Sequence, residues 1–250
     1  MSPSRATGRT RPKAVPSTGK QRRRAGPGRP EGISHVRDEI LDAAEIEFAD
    51  RGYAGTSLRH VADRAKVTQA LINYYFRSKY GLFEEVFLRR NRELSEERMK
   101  RLGDLRRMDA PAGVRAIVEA FFGPALAMRA TPGGRTFMRL NARLHTEPWD
   151  ISNRLRSAYD ESTRAFVEAL HGALPHLSLS DIHWRLALSV GGYLYVLSDS
   201  HRLDVVASGI CNPNDANEMV TAIISFVAGG MLAPILQAPA ASESLPHEKS

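Results

Sequence analysis

The sequence predicts an all-α protein of 250 residues. Three observations lead there. From His35 onward apolar residues recur three and four positions apart, the period of a helix with one buried face. Prolines and glycines stand mostly between those runs and punctuate them. No stretch of useful length alternates apolar and polar residues as a half-buried strand would, and no internal repeat is present. With hydrophobic residues at 42%, the chain can bury a sizeable core.

Taken in order, residues 1–32 consist largely of Pro, Gly, Ser, Thr and Arg and hold almost no large apolar side chain. They cannot offset the entropy of folding and are expected to be a disordered tail. A first helix follows, with Ile40, Ala44 and Phe48 on one track, Leu41 on the adjoining one, and Gly52 as its stop. Thr56 occupies an N-cap position before a short second helix marked by Leu58, Val61, Ala62 and Ala65. Thr68 can cap a third, Gln69 to Phe76. Ser78 can cap a long fourth through Leu82, Phe83, Val86 and Phe87 to about Leu102. Further helices are expected at 111–130 (bent at Pro124), 133–145, 149–174, 180–201 and 214–232, with Pro132, Pro148, Pro175 and Pro213 as breakers. The expected organisation is a tail at 1–32, a helix-turn-helix domain at 33–80, a helical body at 81–235 and a disordered end at 236–250.

Charge is unevenly placed. Residues 1–32 carry nine Lys/Arg and one acid, a net +8. The other 218 residues carry 26 bases and 27 acids, a net −1. The basic character therefore belongs to the tail, and such tails usually meet a polyanion. The single cysteine, Cys211, excludes an intramolecular disulfide and fits a reducing cytoplasm. The tail lacks a following apolar segment, so it does not read as a signal peptide. Met219 to Ser242 is uncharged, yet Ser225, Gly229, Gly230, Pro234, Gln237 and Pro239 interrupt it, which favours a buried helix over a membrane span. No metal site or cofactor is expected, because no Cys/His spacing suits one and His145, His171, His176, His183 and His201 are scattered. No catalytic constellation stands out, and Ser189 and Ser198 lack a nucleophile-elbow context.

The informative segment is Thr56–Lys79. Two short helices joined by a turn of about three residues suit a helix-turn-helix. Leu58, Val61, Ala62, Val67, Ile72 and Phe76 can form its core, leaving Gln69, Ala70, Asn73 and Tyr74 outside. Gln69 and Asn73 lie four apart on one face. Both are amides able to pair two-pronged with an adenine edge in the major groove, and Ala70 is small enough to let the backbone approach the bases. Tyr74, Tyr75, Arg77 and Lys79 flank that face with hydroxyls and charge suited to phosphates. The plainer readings make Tyr74 and Tyr75 partly core, His60 a solvated residue, and Arg64 a salt-bridge partner of the acidic first helix.

The phrase Gly52-Tyr53…Thr56-Ser57…Val61-Ala62…Ala65-Lys66-Val67-Thr68…Ile72-Asn73-Tyr74-Tyr75-Phe76-Arg77-Ser78-Lys79…Leu82-Phe83 resembles the DNA-binding domain of TetR/AcrR regulators over about residues 36–84. The resemblance implies a homodimer of helical subunits: a three-helix reading head, a fourth helix as connector, and an effector-binding bundle whose last two helices form the dimer interface. Carried over by position, Gln69, Ala70 and Asn73 would face bases, and Thr56, Tyr74, Tyr75 and Lys79 would hold phosphates. Three positions depart from the family pattern. Lys66 stands where the turn usually has glycine, Asn73 where many relatives have tyrosine, and Tyr75 where many have histidine, so base preference cannot be copied. In the tail, Arg22-Arg23-Arg24 and Gly28-Arg29-Pro30 resemble the core of an AT-hook, with Pro27 where that motif has arginine; a nonspecific basic arm through Arg22, Arg23, Arg24 and Arg29 is the favoured reading.

The last helices are apolar on two faces. In 180–201, Trp184, Leu188, Gly191 and Tyr195 form one stripe and Leu186, Val190, Tyr193 and Leu197 another. In 214–232 the stripes are Met219, Ile223, Phe226, Gly230 and Val220, Ile224, Val227, Met231. Helices apolar on both faces must be buried on both, one face on the subunit core and the other on a partner. A dimer interface through Trp184, Leu188, Gly191, Tyr195, Ile223, Phe226 and Gly230 is expected, and Arg or Glu at Gly191 or Gly230 is expected to give aggregated or unfolded protein rather than a stable monomer, since the same helices build the subunit core. An effector pocket is expected from Phe121, Phe122, Met128 and Phe137 with the polar Arg139 and Asn141. His183-Trp184-Arg185-Leu186 and the following Gly-Gly resemble one subgroup of TetR-type ligand domains. The reading is an all-α repressor of double-stranded DNA: an N-terminal three-helix helix-turn-helix domain plus a C-terminal helical ligand-binding and dimerisation bundle. It would be a homodimer on a near-palindromic operator, released by a small-molecule effector. Against it stand an effector-independent activator or nucleoid-type protein, an enzyme, and a membrane-anchored regulator.

Overall fold

The computed structural model describes residues 31–198 and 202–235. The tail assignments, including Arg22, Arg23, Arg24, Arg29 and the Gly28-Arg29-Pro30 segment, lie outside the described residues, as does 236–250. The described chain is helical throughout: α1 (Glu31–Gly55), α2 (Leu58–Ala65), α3 (Gln69–Phe76), α4 (Lys79–Arg106), α5 (Val114–Met128), α6 (Pro132–Leu144), α7 (Trp149–Arg156), α8 (Asp160–Ala173), α9 (Leu179–Leu197), α10 (Arg202–Ala207) and α11 (Ala216–Leu232). No helix among the described residues is long and apolar enough to cross a membrane.

The head is α1 to α3 with the start of α4. Ile40, Leu41, Ala44 and Phe48 of α1, Val61 and Ala62 of α2, Ile72 and Phe76 of α3, and Leu82, Phe83 and Val86 of α4 are all buried in one core. Gly52 breaks the path of α1 with φ 71 and ψ 176, a backbone that favours glycine. Its neighbours are tied to the body. The Tyr53 N–H donates to Glu147 Oε1 at 2.8 Å, Arg139 pairs with Asp50 at 2.9 Å, and Arg143 donates to the Asp50 carbonyl at 3.1 Å. The end of α6 and the turn after it therefore hold the end of α1.

α4, about 42 Å long at 1.5 Å per residue, belongs to both halves. Leu82 to Phe87 complete the head, and Leu94 and Leu102 pack in the body against α5 and α8. α9 and α11 pack on each other and on the core, α11 chiefly against α5. Arg185 of α9 donates to the carbonyls of Gly230, Met231 and Ala233, satisfying the open end of α11. Two expected helices are interrupted. A 3-10 turn at Ser157–Tyr159 separates α7 from α8, and the expected 180–201 helix closes at Leu197. α5 runs through the buried Pro124.

Candidate nucleic-acid interface

Each short helix of the head is capped by its own sequence. Ser57, one residue later than expected, is the N-cap of α2. Its hydroxyl accepts from the His60 N–H at 3.2 Å, and His60 Nδ1 accepts from the Ser57 N–H at 3.3 Å. Thr56 is consequently not a surface residue. Its hydroxyl is buried and shared between the Gly52 and Glu47 carbonyls at 2.8 and 3.0 Å, so the phosphate role expected for it is corrected to tying the end of α1 to α2.

The α2–α3 turn is Lys66-Val67-Thr68. Lys66 adopts φ 55 and ψ 40, the left-handed conformation that glycine takes without strain, at a cost on the order of 1 kcal/mol. Its N–H and that of Val67 reach back to Asp63 and Ala62 carbonyls. Thr68 then caps α3 by accepting from the Leu71 N–H at 3.3 Å. With Ile72 and Phe76 buried, the outer face of α3 carries Gln69, Ala70, Asn73 and Tyr74, all exposed, and Tyr74 is 78% exposed. Tyr75 is half-buried, its ring edge-on to Tyr74 at 5.3 Å.

The turn from α3 to α4 is tighter than its sequence suggests. Arg77 has φ 64 and ψ −37, and Ser78 N–H donates to the Phe76 carbonyl at 2.7 Å, a strained three-residue turn. The Phe76 carbonyl then lies only 2.3 Å from where a Cβ on Gly81 would sit. Gly81→Ala is expected to destabilise the protein by about 1–3 kcal/mol, read as a lower denaturant midpoint at unchanged slope. An unchanged midpoint would show that the turn relaxes freely.

Charges in the head are mostly spoken for. Glu47 is buried; burial raises its carboxyl pKa, but hydrogen bonds from Arg64 (2.7 Å) and Arg51 (2.8 Å) outweigh that and hold it below the usual carboxylate range. Arg64 is thus a salt-bridge partner of α1. Glu45 is likewise buried beside Arg89 and Arg90 at 3.0 and 3.2 Å. Lys79 is half-buried, its ammonium 4.4 Å from the Tyr53 ring centroid and 3.4 Å from the Ala54 carbonyl, and burial lowers its pKa.

Residues 40–86 match the family model for bacterial regulatory proteins of the tetR family, and residues 119–230 match the model for the tetracyclin repressor-like C-terminal domain. The chain belongs to the TetR family. It is 34% identical over 92 residues to the HTH-type transcriptional regulator BetI of Vibrio vulnificus, covering 36% of this chain and 46% of that protein. It is 38% identical over 60 residues to the HTH-type transcriptional repressor KstR2 of Mycolicibacterium smegmatis, covering 24% of this chain and 29% of that one. The chain thus spans less than half the length of these curated relatives. A solved TetR family transcription regulator from Shewanella sp. PV-4 superposes with a TM-score of 0.55 over 78% of this chain and 96% of its own at 20% identity, which shows the shared fold.

In this TetR family chain the two stripes of α9 separate as its sequence predicts. Leu186, Tyr193 and Leu197 are buried with Val190 half-buried, while Trp184, Leu188, Gly191 and Tyr195 are exposed. On α11 the division is shifted. Met219 and Ile223 are buried with Ile224, Val227 and Met231, whereas Ala222, Phe226, Gly229 and Gly230 face outward. Ile223, expected at a partner surface, belongs to the subunit core, because α11 packs closely on both α5 and α9. A Cβ added at Gly191, Gly192, Gly229 or Gly230 would meet nothing within 4 Å. A side chain begun at Gly191 or Gly230 therefore meets no atom of the subunit core at its Cβ, which gives no steric reason for the unfolding expected of a charge there.

The expected pocket residues divide as well. Phe121 and Asn141 line a cavity of about 400 Å³ bounded by α4, α5, α6, α8 and α9. Phe122 and Phe137 are wholly packed in the core, Phe137 against Phe87. Arg139 reaches away to Asp50, and Met128 packs at the α5–α6 turn, where its backbone carbonyl and side chain crowd Gly134. The residues that sequence reasoning missed are Arg98, Tyr159 and Tyr193, which line the same cavity from α4, the 3-10 turn and α9. Only their three-dimensional convergence marks them.

Proposed function

We propose that the chain is a ligand-responsive DNA-binding repressor, working as a homodimer on a near-palindromic operator, with residues 33–80 as reading head and 81–235 as effector and dimerisation body. The observation that carries this is the outer face of α3: two amides four residues apart, a small residue between them and an exposed tyrosine, on a helix capped at its N-terminus by Thr68. In such a head Gln69, Ala70 and Asn73 face bases while Tyr74, Tyr75 and Lys79 meet phosphates. Two heads must sit about 34–36 Å apart to enter successive major grooves, so a modest tilt of each head costs operator affinity. A route for that tilt exists, since α6 and the turn after it line the cavity through Asn141, Leu144 and His145 and hold α1 through Arg139, Arg143 and Glu147. That the relative KstR2 is named a repressor supports the sign of regulation.

The test is binding to the near-palindrome upstream of the protein's own gene, against random DNA of equal length. Gln69→Ala and Asn73→Ala are each expected to cost about 1–3 kcal/mol on the operator and to relax preference at particular base pairs. Equal losses on operator and random DNA would show that these residues touch only phosphates.

A further inference from the structure

The closed end of the 400 Å³ cavity combines charge and burial in a way the fold does not require. Arg98 lines it and is 3% exposed. Its Nε donates to the Phe121 carbonyl at 2.8 Å, its guanidinium lies 4.0 Å from the Phe121 ring centroid, and the Tyr193 phenol is close enough to interact with it. None of these partners is an anion. Glu97, the adjacent acid, pairs instead with Arg101 at 2.8 Å and Lys100 at 3.8 Å. Asp160 sits at the exposed rim of the cavity with His145 and His183. Among the described residues no carboxylate lies within ion-pair distance of Arg98. A guanidinium stays charged at any pH a protein meets, and burying a charge without a counter-charge is costly. Beside it, Asn141 Oδ1 and the Tyr159 hydroxyl are buried without a well-formed hydrogen bond; the two side chains lie close enough to interact with each other, and both line the same cavity. Folded proteins leave few such atoms unsatisfied, and their convergence on one hollow is what a missing ligand group would explain. Thr163 adds a hydroxyl, and the rest of the wall is apolar, chiefly Leu144, Leu186, Val190, Leu194 and the ring of Phe121.

We propose that this cavity binds a small organic carboxylate, its head paired with Arg98 and accepting from the Tyr159 hydroxyl, its apolar body lying along Leu186, Val190 and Leu194. Guanidinium terminal nitrogens match a carboxylate in geometry as well as charge. One buried cation balances one negative charge; a phosphate dianion would leave a surplus against apolar walls. The volume falls within the range of about 300–1,000 Å³ typical of ligand sites. This inference rests on the ligand-responsive reading above and names the chemistry of its effector.

The experiment is calorimetric titration of the full-length protein with sodium octanoate, phenylacetate and benzoate, each beside its neutral amide, and with octyl phosphate. At least one carboxylate is expected to bind once per subunit and about tenfold or more tighter than its amide, as a hydrogen bond to a charged group requires. Arg98→Met is expected to abolish that preference, and Arg98→Lys to retain part of it. Should Arg98→Met fail to fold, the carboxylate-to-amide ratio of the wild type and its reduction in Arg98→Lys still decide. No carboxylate binding, equal affinity for acid and amide, tighter binding of octyl phosphate than of octanoate, or an undiminished preference in Arg98→Met would each overturn the proposal. Effector release fails separately. A carboxylate that binds through Arg98 yet leaves operator DNA in place keeps this site and sinks the release reading.

Discussion

Replacing Leu188 and Phe226 together with arginine is expected to give a folded monomer that binds its operator about 10²–10⁴-fold more weakly, the advantage lost when two linked modules no longer act together. The two side chains are 69% and 74% exposed on one subunit, beside Trp184 at 68% and Tyr195 at 56%. Large apolar side chains gathered on two adjacent helices are uncommon on a surface that faces only water. Burying each stabilises by about 1.5–3 kcal/mol, and a two-fold axis through this face would count every contribution twice. The open space around Gly191, Gly192, Gly229 and Gly230 admits the backbone of a second copy at close range. Arginines at 188 and 226 would set like charges against each other across that axis. They should leave the subunit standing, because its core is made by the opposite stripes, Leu186, Tyr193 and Leu197 on α9 with Ile223, Ile224, Val227 and Met231 on α11. Sedimentation separates the outcomes. A wild-type protein that is monomeric at micromolar concentration would sink the dimer, and a double variant that aggregates would show that this face is part of the subunit's own fold.

What could be read from the chain and what could not divide along physical lines. Local periodicity and capping chemistry located most of the helices and the α2–α3 turn, because those signals act within a few residues. They were blind at single-residue register. Thr56 and Ser57 both carry hydroxyls, and only packing decides that Ser57 caps while Thr56 is buried under α1. On α11 the two apolar tracks adjoin, so the helix could be rotated enough to bury Ile223 with no change in its pattern. Contacts between separate elements were the least legible. The approach of the Phe76 carbonyl to Gly81, the grip of Glu147 on Tyr53, and the meeting of Arg98, Asn141 and Tyr159 each join backbone or side chains from different segments of the fold. Arg98 is the sharpest case, since an arginine in the charged run Glu96-Glu97-Arg98 reads as solvated, yet the helix turns it inward while its neighbours pair outside.

Deleting residues 1–32 is expected to weaken DNA binding without changing the preferred sequence. The tail holds a net +8 and the rest of the chain a net −1, so the body has no general excess of positive charge with which to attract DNA. The structure sharpens this in the head. The acids of α1 are largely neutralised, Asp42 by Arg89, Glu45 by Arg89 and Arg90, Glu47 by Arg51 and Arg64, and Asp50 by Arg139. They repel DNA less than their number suggests, but the same pairing occupies the arginines that could otherwise attract it. Each phosphate neutralised by the tail should add about 0.9 to the slope of log affinity against log salt. Three or four tail cations engaged per subunit would make deletion flatten that slope by roughly 5–7 units for a dimer. At such slopes a threefold rise in salt changes affinity by roughly a thousandfold, so the full-length and truncated proteins should differ widely at low salt and converge as salt rises. Thermal stability should be unaffected, since the tail has almost no apolar side chain to bury. An unchanged salt slope would show that the arm does not touch DNA. Lost preference for A/T-rich flanks on deletion would instead make Gly28-Arg29-Pro30 a reader of the minor groove.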